Sequence, residues 1–208
     1  DLMPSPDPRF DVADARSYVA FSPTQIKSVN NRGSFDGQNP DIRFSLAPAP
    51  NTQDFKDWFQ QSHVTESGKP GGKPLVVYHG TPVGDFSAFS PARRGYSTGA
   101  FDARMGFFFT DDRDFAAHFT HRRTIGTLTG RIETIVAEAP NVYEVYLLLK
   151  NPIDLTRPSA DSLDALRVAG INRDADELRQ MMRSATGSKQ IQVWLQRVGA
   201  ERLQELGF

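Results

Sequence analysis

The chain is patterned in short apolar runs, and two of these runs end alike. Leu75, Val76, Val77 and Tyr78 stop abruptly at His79, Gly80 and Thr81, which predicts a buried strand with a polar tip. Further on, Gly106-Phe107-Phe108-Phe109 runs into Thr110 and Asp111. Alternation along such a strand puts Phe107 and Phe109 on one face and Phe108 on the other. Two strands of this kind would set a histidine and an aromatic face on opposite walls of one cleft. The strongest strand pattern covers 142–149, closed by Lys150-Asn151-Pro152, and residues 17–21 have strand character ahead of Ser22-Pro23.

Helical spacing marks fewer places. Thr52 is placed to cap a short helix whose Phe55, Trp58 and Phe59 form an apolar stripe. Asp112 is placed to cap another carrying Phe115, Ala116 and Phe119. From Ser162 the tail reads as helical: Leu178, Met181 and Met182 mark one helix, Ile191, Trp194, Leu195 and Val198 a second, with Gly207 as a C-cap. In the segment 121–140, Ile132, Ile135 and Val136 fit either a strand or a short helix. Strands before helices, without regular alternation, predict an α+β fold.

Punctuation divides the chain. Residues 1–16 hold three early prolines and the sequence starts without Met, the look of a piece of something longer. Asn30-Asn31-Arg32-Gly33, Asp36-Gly37 and Asn39-Pro40 are turn chemistry. Ser45-Leu46-Ala47-Pro48-Ala49-Pro50 reads as a stiff linker, so the expected division is a tail segment, 1–47, and a domain, 52–208. The loop 82–105, with Gly84, Pro91, Gly95, Gly99, Arg93 and Arg94, exceeds ordinary connections and is therefore either functional or mobile.

Composition then removes whole classes of function. The 208 residues suffice for one sizeable core. With 24 basic and 25 acidic side chains and a formal net charge of −1, no global field draws the chain to nucleic acid or acidic lipid. No window has the apolar length of a membrane span, and the start lacks a signal-peptide pattern. The absence of cysteine removes disulfides, thiol nucleophiles and cysteine zinc sites, and suits a reducing cytosol. Fifteen Phe against five Tyr and two Trp point to a phenylalanine-packed core.

Candidate chemistry centres on Tyr78-His79-Gly80-Thr81. A strand-terminal His offers ring nitrogens to hydroxyl or carbonyl partners, and Gly80 lets a flat ligand approach the backbone without a Cβ. This suits a ribose hydroxyl held by His79 and a carboxamide read by the Gly80 backbone; the alternative is a His that satisfies a nearby carbonyl. Phe108 is either a stacking wall for an aromatic ring or part of the core. His118 and His121, beside Asp111, Asp112 and Asp114, lack a second ligand pair at defined spacing, so no metal site is expected. There is no phosphate loop, GxGxxG or Ser-His-Asp signature.

Taken together, the Tyr-His-Gly-Thr and Gly-Phe-Phe-Phe-Thr-Asp strands, the second followed by a helix, resemble the ADP-ribosyltransferase fold. The branch is that of diphtheria-type toxins and poly(ADP-ribose) polymerases, known for a His-Tyr-Glu triad. Phe55-Lys56-Asp57-Trp58-Phe59, Pro74 to Thr81, Gly106 to Asp112, and Val145-Tyr146-Leu147 with Lys150-Asn151-Pro152 are closer still to such domains in phage and mobile-element polyvalent proteins. The resemblance covers roughly residues 53–155. It implies a split β-sandwich with flanking helices and NAD+ as substrate, with no metal. His79 would hold its ribose, Gly80 its carboxamide, and Thr81 falls at the family's small hydroxyl position. Phe108 falls where the triad's Tyr stacks on nicotinamide, Phe119 matches a second aromatic wall, and Arg93 or Arg94 would steady the pyrophosphate or form an exposed surface pair.

The triad's Glu has no clear counterpart. The family keeps it on a late strand, about where this chain stops. Residues 17–28, followed by Asn39-Pro40-Asp41-Ile42-Arg43, resemble the end of a preceding copy, where Ser17 stands at a position that carries Glu in active relatives. Three expectations follow: the early strand completes the sheet, the catalytic strand is missing, or the domain is a pseudo-enzyme. Glu144, on the strongest strand, is the substitute carboxylate or an edge residue. The expected function is mono-ADP-ribosylation of a protein or nucleic-acid acceptor with nicotinamide release. Its alternatives are an inactive NAD+- or partner-binding module and an NAD+ glycohydrolase. The expected setting is cytoplasm, the chain's own or that of a target cell entered as a toxin or effector, with no membrane partner.

Overall fold

The computed structural model describes residues 15–31, 35–43, 52–96, 104–121, 123–126, 132–135, 137–152 and residue 203. In chain order the strands are β1 (Ser17–Ala20), β2 (Ile26–Ser28), β3 (Val77–Thr81), β4 (Phe107–Thr110), β5 (Arg123–Gly126), β6 (Ile132–Ile135) and β7 (Asn141–Leu147). Two short helices accompany them, α1 (Gln53–Phe59) and α2 (Arg113–Ala117). The expected linker at 45–50, the tail helices and the Gly207 cap lie outside the described residues.

Five strands form one sheet in the order β1-β4-β3-β7-β2, and β5 and β6 form a separate pair. Every strand pairing is antiparallel. Both edge strands come from one short segment, because the chain passes from β1 on one side to β2 on the other between Ala20 and Ile26. A flat sheet of this width spans about 19 Å at ~4.8 Å per strand spacing. The connection contains the 3-10 turn Pro23–Gln25, so its reach is only about 16 Å. The sheet therefore curls, bringing its two edges toward each other.

The curl encloses the core. Ala20, Ile26, Val77, Phe107, Phe109, Val145 and Leu147 pack into one buried cluster with Ile42 and Phe89. Alternation along β7 sends Tyr146 to the opposite face. There α1 docks Phe55, Trp58 and Phe59 together with Phe35. The ring centroids of Phe55 and Tyr146 are 5.0 Å apart, edge to face. Thr52 caps α1 by accepting from the Phe55 N–H, and Asp112 caps α2 by accepting from the Asp114 and Phe115 N–H groups, both as expected.

The structure refines three of these readings. First, β3 starts at Val77, after Leu75 and Val76, and it includes the polar tip His79, Gly80 and Thr81. There β7 supplies Tyr143, Val142 and Asn141 as partners, and this tertiary pairing outweighs the glycine. Second, the ambiguous segment 121–140 contains the hairpin strands β5 and β6. Third, a second early strand, β2, precedes the turn chemistry that starts at Asn30, where no separate strand was expected. Its Lys27 is fully buried, with Nζ donating to the carbonyls of Asn39 at 2.5 Å and Asp41 at 3.1 Å. Burial lowers the Lys27 pKa, while Asp36 and Asp41 oppose that shift. Among the described residues, no helix is long and apolar enough to cross a membrane.

Candidate active site

The site begins where β3 and β4 part company. They pair at Tyr78 and Thr110 only, although β4 is paired along its whole length by β1 on its other side. Past Tyr78, β3 has no strand partner on its β4 side among the described residues, and His79 bridges the gap with Nδ1 2.8 Å from the Phe108 carbonyl oxygen. A carbonyl can only accept, so Nδ1 carries the proton and Nε2 is the acceptor nitrogen of the neutral ring. Burial lowers the His79 pKa from 6.5, opposed by the bond to the Phe108 carbonyl, so the imidazole is neutral at pH 7. Phe89 holds the ring edge to face at 5.0 Å, and Phe109 lies 5.4 Å away.

His79 lines a groove of about 620 Å³. One wall is the described part of the loop 82–96. The other carries Phe108, and Phe115, Ala116 and Phe119 from α2 and the turn after it also line the groove. Phe107 and Phe109 are buried, whereas Phe108 is 38% exposed, which is the alternation of a strand with one wet face. Ser17, at the start of β1 opposite Thr110, lines the same groove.

The other anticipated residues divide by what they touch. Gly80 has a packing reason to be glycine, since any Cβ there would overlap the Ala116 carbonyl of α2. Thr81 is buried, and its hydroxyl closes a local turn, donating to the Val83 carbonyl at 3.0 Å and accepting from the Val83 N–H at 3.2 Å. Phe119 packs edge to face on Phe115 at 5.4 Å. Arg93 is exposed in the groove wall, with its guanidinium 5.7 Å from the Tyr96 ring. Arg94 also lines the groove, but it donates to the Phe21 carbonyl and lies 5.1 Å over the Phe107 ring. The exposed-pair reading thus describes Arg93 and not Arg94, which ties the loop to the end of β1.

Glu144 is not brought to the groove. It sits opposite Tyr78 on β7, one position on from Tyr143 and hence on the face away from His79. Its carboxylate pairs with Arg113 at 3.5 Å. Among the described residues no group of His, Asp and Glu is arranged to hold a metal ion.

Sequence reasoning passed over Phe89, Tyr96 and Asp85. All three line the groove, and all three lie in the long loop whose length was the available signal. Asp85 has a φ of 59°, a left-handed backbone found mainly at glycine, asparagine and aspartate.

A family model described as "ADP-Ribosyltransferase in polyvalent proteins" matches residues 70–205, a span that holds β3, the groove loop, β4, α2 and β7. No curated protein and no solved structure matches the chain. The match covers well over half of the sequence, and the chain belongs to the ADP-ribosyltransferase family of polyvalent proteins.

Proposed function

We propose that the chain binds NAD+ in the groove and transfers ADP-ribose to a macromolecular acceptor, releasing nicotinamide. The observation that carries this reading is the pairing of His79, whose Nε2 is left as a hydrogen-bond acceptor, with the exposed ring of Phe108 in one groove. His79 Nε2 accepts from a ribose hydroxyl, while Phe108 and Phe119 flank the nicotinamide ring. Backbone groups of Gly80 read the carboxamide on the side of β3 that β4 leaves unpaired. Thr81 holds the turn behind that contact, and Arg93 meets the pyrophosphate. The parting of β3 from β4 is, on this reading, the split of the family's β-sandwich.

In the reaction the bond between the ribose and the nicotinamide nitrogen breaks. Its electron pair neutralises the pyridinium, and the ribose passes through an oxocarbenium-like state to a nucleophile of the acceptor, whose proton goes to solvent. The acceptor is a protein or nucleic acid meeting the 82–105 loop, and the setting is cytoplasmic, native or that of a target cell. Incubation with NAD+, read by nicotinamide release and by thermal shift, tests the proposal; neither binding nor turnover would sink it.

One observation favours a second reading. Ser17 lies at the groove edge of β1, where the resemblance asks for a carboxylate, and Glu144 is engaged with Arg113. A module that binds NAD+ without turnover is therefore the alternative, and binding without nicotinamide release would select it. Free ADP-ribose without labelled macromolecule would instead indicate an NAD+ glycohydrolase.

A further inference from the structure

Among the described residues that line the groove, Asp85 is the one carboxylate. Its backbone is left-handed, with φ 59°, a conformation that glycine adopts freely and that Asn and Asp adopt more readily than other L-residues. Its neighbours hold it there from both sides. The Gly84 N–H donates to the Ala139 carbonyl at 2.6 Å, so closely that a Cβ on Gly84 would collide with that oxygen. The Phe86 N–H donates to the Tyr143 hydroxyl at 3.2 Å, and the two rings stack at 4.4 Å. The Asp85 carboxylate itself takes no hydrogen bond or ion pair from the described residues. An exposed acid is thus held in a fixed left-handed backbone on the wall of the groove.

Its surroundings say what it suits. Phe108 and Tyr96 expose their rings, Phe119 adds a third, and the neutral His79 contributes no positive charge. Aromatic faces with one anionic side chain complement a planar cation. The groove's exposed positive charge, Arg93, stacks on Tyr96 and suits the anionic part of the same ligand.

We propose that Asp85 is the charge-selecting residue of the groove: its carboxylate favours the positively charged nicotinamide ring of NAD+ over ligands whose ring is neutral. The inference rests on the NAD+ reading above and deepens it. The ring becomes neutral when the glycosidic bond breaks, so the same carboxylate holds the substrate and has no hold on released nicotinamide.

The test is titration calorimetry of the full chain with NAD+ and with NADH, whose ring is uncharged, for the native protein, Asp85→Asn and Asp85→Gly. The native protein should prefer NAD+ by about tenfold or more, and both variants should lose most of that preference through weaker NAD+ binding alone. In the free protein Asp85→Asn and Asp85→Gly should both melt within a few degrees of the native protein, since Asn and Gly adopt this backbone, which separates lost selectivity from lost folding. If the variants keep the native NAD+/NADH ratio, or weaken both ligands equally, Asp85 has no selecting role while the NAD+ reading stands. If the native protein binds neither dinucleotide, the NAD+ reading fails and this assignment falls with it.

Discussion

The Nδ1 of His79 lies 2.8 Å from the Phe108 carbonyl oxygen, across the gap where β3 and β4 cease to pair. One hydrogen bond therefore does three things. It closes the base of the groove, fixes the imidazole tautomer, and couples the histidine to the strand that presents the Phe108 ring.

This relationship gives a pH dependence with a definite sign. The folded state depresses the His79 pKa below 6.5, so around that value the unfolded chain binds more protons. The stabilisation is present above about pH 6.5 and is lost as pH falls through the folded pKa, with a slope of at most about 1.4 kcal/mol per pH unit. Urea unfolding of the native protein and His79→Gln between pH 7.5 and 5 should show the native protein losing more stability on acidification.

Phe108→Ala should separate binding from folding. The ring is exposed, so thermal stability should change by about 0.5 kcal/mol or less. NAD+ affinity should fall by roughly tenfold or more, the loss of one stacked face. Calorimetry beside a melting curve reads both, and equal affinity would remove Phe108 from the site.

Gly80→Ala should do the reverse and damage the fold first. Its Cβ would meet a backbone carbonyl of α2, which cannot rotate aside as a side chain can. The expected loss is about 3 kcal/mol or more, measured by urea denaturation, with α2 amides losing exchange protection before those of β7.

Arg94→Ala should loosen the join between the groove loop and the early strand. It removes a charged donor from the Phe21 carbonyl and a cation from above Phe107, worth about 1.5–3 kcal/mol. Hydrogen exchange should report faster opening of β1 amides. Unchanged protection there would mean that β4 alone secures the strand.

Glu144→Gln should leave nicotinamide release near the native rate. The carboxylate pairs with Arg113 on a half-exposed surface, a contact worth at most about 1 kcal/mol. A large loss of turnover with intact binding would bring Glu144 back as the missing acid.

What could be read in the sequence follows from what is local. The aromatic stripe of Phe55, Trp58 and Phe59, the caps at Thr52 and Asp112, and the alternation that exposes Phe108 between two buried neighbours need only adjacent residues. The continuation of β3 through Gly80 needed a partner more than 60 positions away, and local propensity pointed the other way. Strand β2 was hidden because its Lys27 reads as surface, whereas distant carbonyls at Asn39 and Asp41 make it a buried donor. Asp85 was invisible for a similar reason: its φ is imposed by Ala139 and Tyr143, not by the Gly84-Asp85 turn alone.

The path by which one early segment supplies both edges of the sheet bears on how the molecule folds. Ser17 must find Thr110, and Ile26 must find Leu147, so the outermost ladders are among the most distant in sequence and close large loops. Such non-local pairing slows the search, and the exposed edges of β4 and β7 would offer templates for association until it ends. Refolding of this chain should therefore be slow for its size and sensitive to protein concentration, with the earliest residues of the sheet among the last to acquire protection.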